Sequence, residues 1–348
     1  MGKRWRILFL GAVAPLFGAG LPPEYSEREA PVRGAEPLKY LVYAPRQLAA
    51  GERYPLVVYL HGSCKECVTH ERIARESGLR MWHGYDRNVQ REPTFLFAPA
   101  GGTGGWTREP RREKIFELID GLLEEFPIDR RRIYIMGFSM GGAGTWNYIQ
   151  ERPDFFAAAN PQAIGGGVVN AEAVKNVPIW ATIGVDDNAD RIDQLTANVA
   201  RIRTANGDPR GAATGVAGVN PRFNIFPATN HGGAQAKTQE LPGFLDWFYS
   251  QVNDGNHAPN VRFIRPAPSP EPYQRTVGAT VAATDPDGSV DRVEFFSGAD
   301  LVAVDREAPY AHTFTGLAPG PRRLKARAVD AGGKSRTAEV TVLVAPVE

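Results

Sequence analysis

The sequence predicts an α/β fold, a doubly wound and mostly parallel sheet over residues 21–252, joined by a linker at 253–260 to a small all-β sandwich over 261–348. Three observations predict it. From about Pro37, short apolar runs of strand type alternate with helical patterns. Gly137-Phe138-Ser139-Met140-Gly141 places a serine between two small residues at the junction of a strand-like and a helix-like run. After Asn253-Asp254-Gly255-Asn256-His257-Ala258-Pro259-Asn260 helical periodicity ceases and short alternating strands replace it.

In chain order, Met1 to Arg6 is basic, Ile7 to Phe17 is apolar, and Gly18-Ala19-Gly20 supplies small residues. The apolar run is short for a bilayer, so 1–20 reads as a secretory signal peptide and the destination as periplasmic or secreted. Leu38–Tyr43, Tyr54–Leu60, Thr94–Ala98, Arg132–Met136, Val177–Ile183 and Arg222–Phe226 read as strands. Ile115, Leu118, Ile119, Leu122, Leu123 and Phe126 fall at helical spacing and Pro127 stops the run, while Leu241–Val252 makes a further amphipathic helix. Strands alternating with helices give a parallel sheet covered on both faces, with ligands at the carboxyl ends of its strands. The tail strands are Val277–Ala282, Val290–Phe296, Leu301–Val304, Tyr310–Phe314, Arg323–Ala328 and Glu339–Val344, separated by turn clusters such as Asp285-Pro286-Asp287-Gly288.

With 348 residues, 43% hydrophobic and 23% charged, the chain carries enough apolar side chains for a substantial core. A formal net charge of +1 gives no electrostatic reason to expect nucleic acid or an anionic membrane as partner, and small or neutral substrates fit better. The two cysteines, Cys64 and Cys67, lie in His61-Gly62-Ser63-Cys64-Lys65-Glu66-Cys67. In an oxidising compartment a local disulfide is the first reading; a zinc set of His61, Cys64, Cys67 and His70 would crowd one short loop.

The serine motif is the sequence form of a nucleophile elbow, in which a sharp strand-to-helix turn lifts a hydroxyl out of the sheet. Glycines are wanted at 137 and 141 because a Cβ there collides where the segments cross. With 37 glycines in the chain, about 0.1 such matches to its serines are expected by chance, so context decides. A serine hydroxyl needs a histidine within hydrogen-bond reach, oriented in turn by a carboxylate. In this sheet type the chain order is Ser, Asp, His. Asp187, in the loop after the strand Val177–Ile183, is the chosen acid, with Asp186 and Asp190 as substitutes. His231 follows the strand Arg222–Phe226 and is the chosen base; His257 and His312 lie in the linker and tail, and His70 and His83 precede the serine. Backbone N–H groups to hold a developing oxyanion are expected from Met140 and from Ser63 or Cys64. His61 reads as a structural histidine at a strand end. Trp106, among the glycines of Ala100-Gly101-Gly102-Thr103-Gly104-Gly105, is expected on a mobile loop, offering its ring to an aromatic or sugar group or else anchoring that loop.

Tyr54–Gly62, Arg132–Gly142, the Asp187 loop and His231 together resemble the secreted α/β-hydrolases related to polyhydroxybutyrate depolymerases, feruloyl esterases and predicted secreted peptidases, over roughly residues 35 to 252. The resemblance implies serine ester hydrolysis without a cofactor, on an ester of or on a polymer. The chain departs from the pattern at Asn188-Ala189-Asp190 and at Gly232-Gly233. A serine peptidase on the same scaffold and a polymer-binding protein with an inactive hydrolase domain are the rival readings. Ala283–Phe296, Ala308-Pro309-Tyr310 and Ala326–Gly333 resemble the bacterial Ig-like modules of secreted polysaccharide-active enzymes, over roughly 258 to 346. Such modules bind polymer or space domains. Asp285, Asp287 and Asp291 suggest turn-capping carboxylates before Ca²⁺.

Overall fold

A computed structural model describes residues 25–45, 47–63, 69–74, 93–101, 105–253, 259–266, 271–285 and 288–346. The expected signal peptide and the Cys64–Cys67 pairing lie outside the described residues.

The strands are β1 Tyr25–Val32, β2 Ala35–Tyr43, β3 Tyr54–Leu60, β4 Phe95–Pro99, β5 Ile128–Phe138, β6 Ala158–Gln162, β7 Trp180–Gly184 and β8 Arg222–Phe226. They form one sheet in the order β1-β2-β4-β3-β5-β6-β7-β8. β1, β2 and β4 pair antiparallel, and every neighbouring pair from β4 to β8 is parallel. Helices intervene: α1 His70–Ala74, α2 Arg111–Glu125, α3 Met140–Glu151, α4 Ala171–Val174, α5 Ala189–Ala205, α6 Gly233–Glu240 and α7 Phe244–Ser250.

The two-residue period of the central strands explains the two cores. Leu56, Val58 and Leu60 of β3 with Ile133 and Ile135 of β5 point to one face, against Trp146 and Ile149 of α3 and Val199 and Ile202 of α5. Val57, Tyr59, Tyr134 and Met136 point to the other, against Phe244 and Phe248 of α7. Burying an apolar side chain of this size contributes about 1.5–3 kcal/mol, so these two layers fix the centre of the sheet between its helices. Within the helix the sequence suggests over Leu241–Val252, the structure has α7 alone, Phe244–Ser250, starting later because Pro242 and Gly243, at φ 76°, separate it from α6. That left-handed backbone is open to glycine and blocks helix continuation.

The tail forms two sheets, β13-β10-β9 and β12-β11-β14-β15, from β9 Asn260–Arg265, β10 Val277–Thr284, β11 Val290–Ser297, β12 Asp300–Asp305, β13 Tyr310–Phe314, β14 Gly320–Asp330 and β15 Ser335–Val344. Their facing residues, among them Val277, Val281, Val293, Phe295, Phe314, Leu324, Ala326 and Val342, make a separate core. Asp291 is held by Arg292 at 2.8 Å and Arg306 at 3.0 Å, which leaves it a poor calcium ligand; Asp287 lies outside the described residues. Among the described residues no helix is long and apolar enough to cross a membrane.

Candidate active site

Ser139 stands between β5 and α3 with φ 53° and ψ −115°. A side chain other than glycine in that region carries strain on the order of 1–3 kcal/mol, so surrounding contacts must enforce it. They do: Ser139 N–H donates to Gln162 O at 2.9 Å, and Ser139 O accepts from Ala143 N–H at 3.0 Å. A Cβ on Gly137 would collide with the backbone of Gly141, and one on Gly141 would collide with the carbonyl of Leu60 at the end of β3. The elbow is therefore clamped from its own helix and from the neighbouring strand.

The loops after β7 and β8 carry the other two groups. Val185 N–H donates to Phe226 O at 3.0 Å and Asp186 N–H to Thr229 O at 2.9 Å. A Cβ on Gly184 would strike Thr229 O, so the two loops are laced backbone to backbone. This brings His231 Nδ1 within 2.7 Å of Asp187 Oδ2 and His231 Nε2 within 2.9 Å of Ser139 Oγ. Since Asp187 Oδ2 accepts, Nδ1 carries the proton and Nε2 is free to accept the serine O–H. Phe138 lies against the imidazole, with ring centroids 4.9 Å apart.

Of the three carboxylates the sequence offers, Asp187 meets His231. Asp186 and Asp190 are exposed, and Asp190 gives its N–H to the capping Asn188 Oδ1 at 2.9 Å. The Asp187 side chain has 0% exposure. Burial pushes its carboxyl up, but hydrogen bonds from His231, the Asn188 N–H and Arg191 outweigh that and hold it below the ordinary value. It stays an acceptor at neutral pH. The second oxygen, Oδ1, takes Asn188 N–H at 2.7 Å and Arg191 Nη1 at 3.0 Å.

Arg191 is a residue the sequence reading missed. Its signal was available: it stands four residues after Asp187, one turn into α5, where helical spacing returns a side chain to the same face. Nη1 also lies 3.2 Å from His231 Nδ1. Guanidinium nitrogens only donate and Nδ1 is already donating to Asp187, so this third side of the triangle is a contact and not a hydrogen bond.

Met140 is the first residue of α3, and first-turn N–H groups have no partner within their helix. Ser63 is exposed at the end of β3; a Cβ on the preceding Gly62 would lie 2.9 Å from Phe138 Cδ1, which places this loop beside the elbow. Cys64 lies outside the described residues. His61 is fully buried: Nδ1–H donates to Gly62 O at 2.7 Å and Nε2 accepts from Gly101 N–H at 2.9 Å. Burial takes its pKa down to about 4. Both ring nitrogens are committed, so His61 is not poised to ligate in the crowded zinc set, while His70 Nε2 donates to Arg28 O at 2.7 Å.

Trp106 corrects an expectation. It is 1% exposed, donates Nε1–H to His61 O at 3.0 Å, and packs edge-on against the His61 ring. Cβ atoms on Gly101 and Gly144 would fall 2.7 Å from it. Gly101 and Gly144 make room for the indole, so it anchors the loop and offers no face to a substrate.

Residues 259–342 match the family model of the bacterial Ig domain. A bifunctional acetylxylan esterase/xylanase of Neocallimastix patriciarum is 30% identical over 159 residues, 44% of this chain and 22% of that protein. The chain thus spans about a fifth of that curated relative. Among solved structures, a thermostable esterase is 27% identical with a TM-score of 0.55, covering 66% of this chain and 63% of the other. A feruloyl esterase module from Clostridium thermocellum, complexed with sinapinate, is 13% identical with a TM-score of 0.51, covering 67% and 93%. The larger part of this chain has the α/β-hydrolase fold, and the chain resembles esterases carrying it.

Proposed function

We propose that the protein is an exported serine carboxylic-ester hydrolase, with Ser139 as nucleophile, His231 as base and then acid, and Asp187 as the orienting carboxylate. The observation that carries this reading is the unbroken hydrogen-bonded chain from Ser139 Oγ through His231 to a buried Asp187. Attack of Ser139 Oγ on an ester carbonyl passes its proton to His231 Nε2, and the imidazolium is stabilised by Asp187. The tetrahedral oxyanion is held by Met140 N–H and by the N–H of Ser63 or Cys64. Return of the proton to the leaving oxygen releases the alcohol and leaves an acyl-serine, which water opens by the same steps in reverse. No cofactor enters this cycle.

The substrate is an ester on or of a polymer, a polyhydroxyalkanoate or a feruloyl or acetyl polysaccharide ester, and similarity to an acetylxylan esterase favours acetylated polysaccharide. The basic and apolar N-terminal run and the bacterial Ig domain support export. The test is release of acetate from acetylated xylan and of p-nitrophenol from its acetate, by the protein and by Ser139→Ala. Activity that the substitution leaves intact would defeat the proposal.

A further inference from the structure

A cluster of charged groups joins the two parts of the molecule at a place the reaction does not use. Arg336, on β15 of the sandwich, reaches Asp154 in the connection between α3 and β6, with Nη2 3.6 Å from Oδ1 and side chains only 17% and 15% exposed. Beside them Arg152 is half-buried, with Nε and Nη1 shielded from solvent and its guanidinium 3.9 Å from the Phe116 ring centroid and 5.3 Å from that of Phe155. Its Nε and Nη1 have no hydrogen-bond partner, so the charge is compensated through space and by the rings. Burial, and next the charge of Arg336, draw Arg152 down to about 10, while Asp120, Glu151 and Asp154 oppose them. A sandwich arginine and hydrolase carboxylates therefore share one desolvated environment.

The start of the linker is pinned at the same place. Asn253 N–H donates to Arg131 O at 2.9 Å, Arg131 Nε donates to Asn253 O at 3.2 Å, and Asn253 Nδ2 donates to Asp154 O at 2.5 Å. All of these lie at the amino ends of the parallel strands. Ser139 sits at the first residue-end of α3 and Arg152 just past its last; its 12 residues place about 18 Å between them at about 1.5 Å per residue.

We propose that the sandwich is a brace docked on the pole of the hydrolase sheet opposite Ser139, seated by Arg336 against Asp154 and the Arg152, Asp120 and Glu151 cluster. Its partner surface is this chain's own base, and an ester bound at Ser139 approaches from the far side without touching it. Removing one member of a buried charged set leaves the others uncompensated, whereas swapping a pair preserves the balance.

The test uses the full chain as Arg336→Glu, Asp154→Arg and the double swap, read by small-angle scattering, thermal unfolding and p-nitrophenyl acetate hydrolysis. Each single reversal is expected to enlarge the maximum dimension and lower the midpoint, and the double swap to recover both. kcat/KM is expected to stay within about twofold throughout, because the cluster is more than a helix length from the serine. Arg336→Gln serves if a reversal prevents folding. Unchanged scattering in the single variants, a double variant as loose as they are, or a tenfold loss of kcat/KM in a folded variant overturns the proposal. The scattering arm needs no activity, so absence of ester hydrolysis would count against the functional reading alone.

Discussion

Phe295 and Ser139 each sit at the centre of their own part of the chain, and they are held in opposite ways. Phe295 is fully buried in a strand with ordinary extended backbone, in one core with Val277, Val293, Phe314, Leu324 and Ala326. Ser139 has a left-handed φ, a half-buried hydroxyl, glycines pressed on neighbouring backbone, and two loops tied together to present a histidine and a buried carboxylate. The sandwich core is built from apolar side chains on the facing sides of its two sheets, in ordinary extended backbone. The elbow is an exception to local preference, kept in place by backbone contacts from β3, β6 and α3. The difference separates what holds the molecule together from what it does, and each half can be broken without the other.

The largest expected effect is on chemistry alone. Asp187→Asn keeps the shape but removes the acceptor that fixes the His231 tautomer, so kcat should fall on the order of 10³–10⁴-fold while the melting midpoint moves little. Steady-state kinetics beside calorimetry check this; a large loss of stability with modest loss of kcat would contradict it. Phe295→Ala is the converse, expected to cost the sandwich about 3–5 kcal/mol in denaturant unfolding while kcat/KM is unchanged.

His61 ties stability to pH. Its folded pKa of about 4 lies below the ordinary 6.5, so between those values the unfolded chain takes up a proton that the buried ring refuses. Stability is full above about pH 6.5 and falls by about 3 kcal/mol on going down to about pH 4, at about 1.4 kcal/mol per unit. In unfolding titrations across this window, His61→Gln should flatten that part of the profile; an unaltered slope would mean another group is responsible. The smallest effect is expected from Arg191→Ala, which removes one partly exposed charge-assisted bond to Asp187 and should lower kcat about fivefold, with Arg191→Lys recovering part of it.

Legibility in the sequence followed the same division. The continuous apolar runs of β3 and β5 were readable because a strand buried on both faces needs apolar side chains throughout, and most sandwich strands because apolar residues recur on their inward face. The elbow and the loops bearing Asp187 and His231 were readable because chain order and strand ends restrict where such groups stand. β6 was not. Ala158–Gln162 contains Asn160, Pro161 and Gln162 and so lacks an apolar strand run, yet it is wholly buried, with Asn160 Nδ2 donating to Trp180 O at 2.6 Å and Gln162 Nε2 to Asn160 Oδ1 at 2.5 Å. Helix α5 escaped notice because its buried face includes Asn198 and Arg203, whose donors go to loop carbonyls of Gly165, Pro221, Gly211 and Ala213. Polar groups satisfied by distant backbone leave no hydrophobic pattern. The glycines around Trp106 suggested an open loop, whereas a Cβ on Gly101 would fall 2.7 Å from the buried indole.

The central claim is that Ser139 is made nucleophilic by the chain through His231 to Asp187. The direct measurement is peptide-mapped labelling by a fluorophosphonate of the intact protein, beside His231→Ala and Ser139→Ala. The account predicts one adduct, on Ser139, its rate of formation falling by several orders of magnitude in His231→Ala and the adduct absent in Ser139→Ala. A folded protein that leaves Ser139 unlabelled, or labels it as fast without His231, would contradict it.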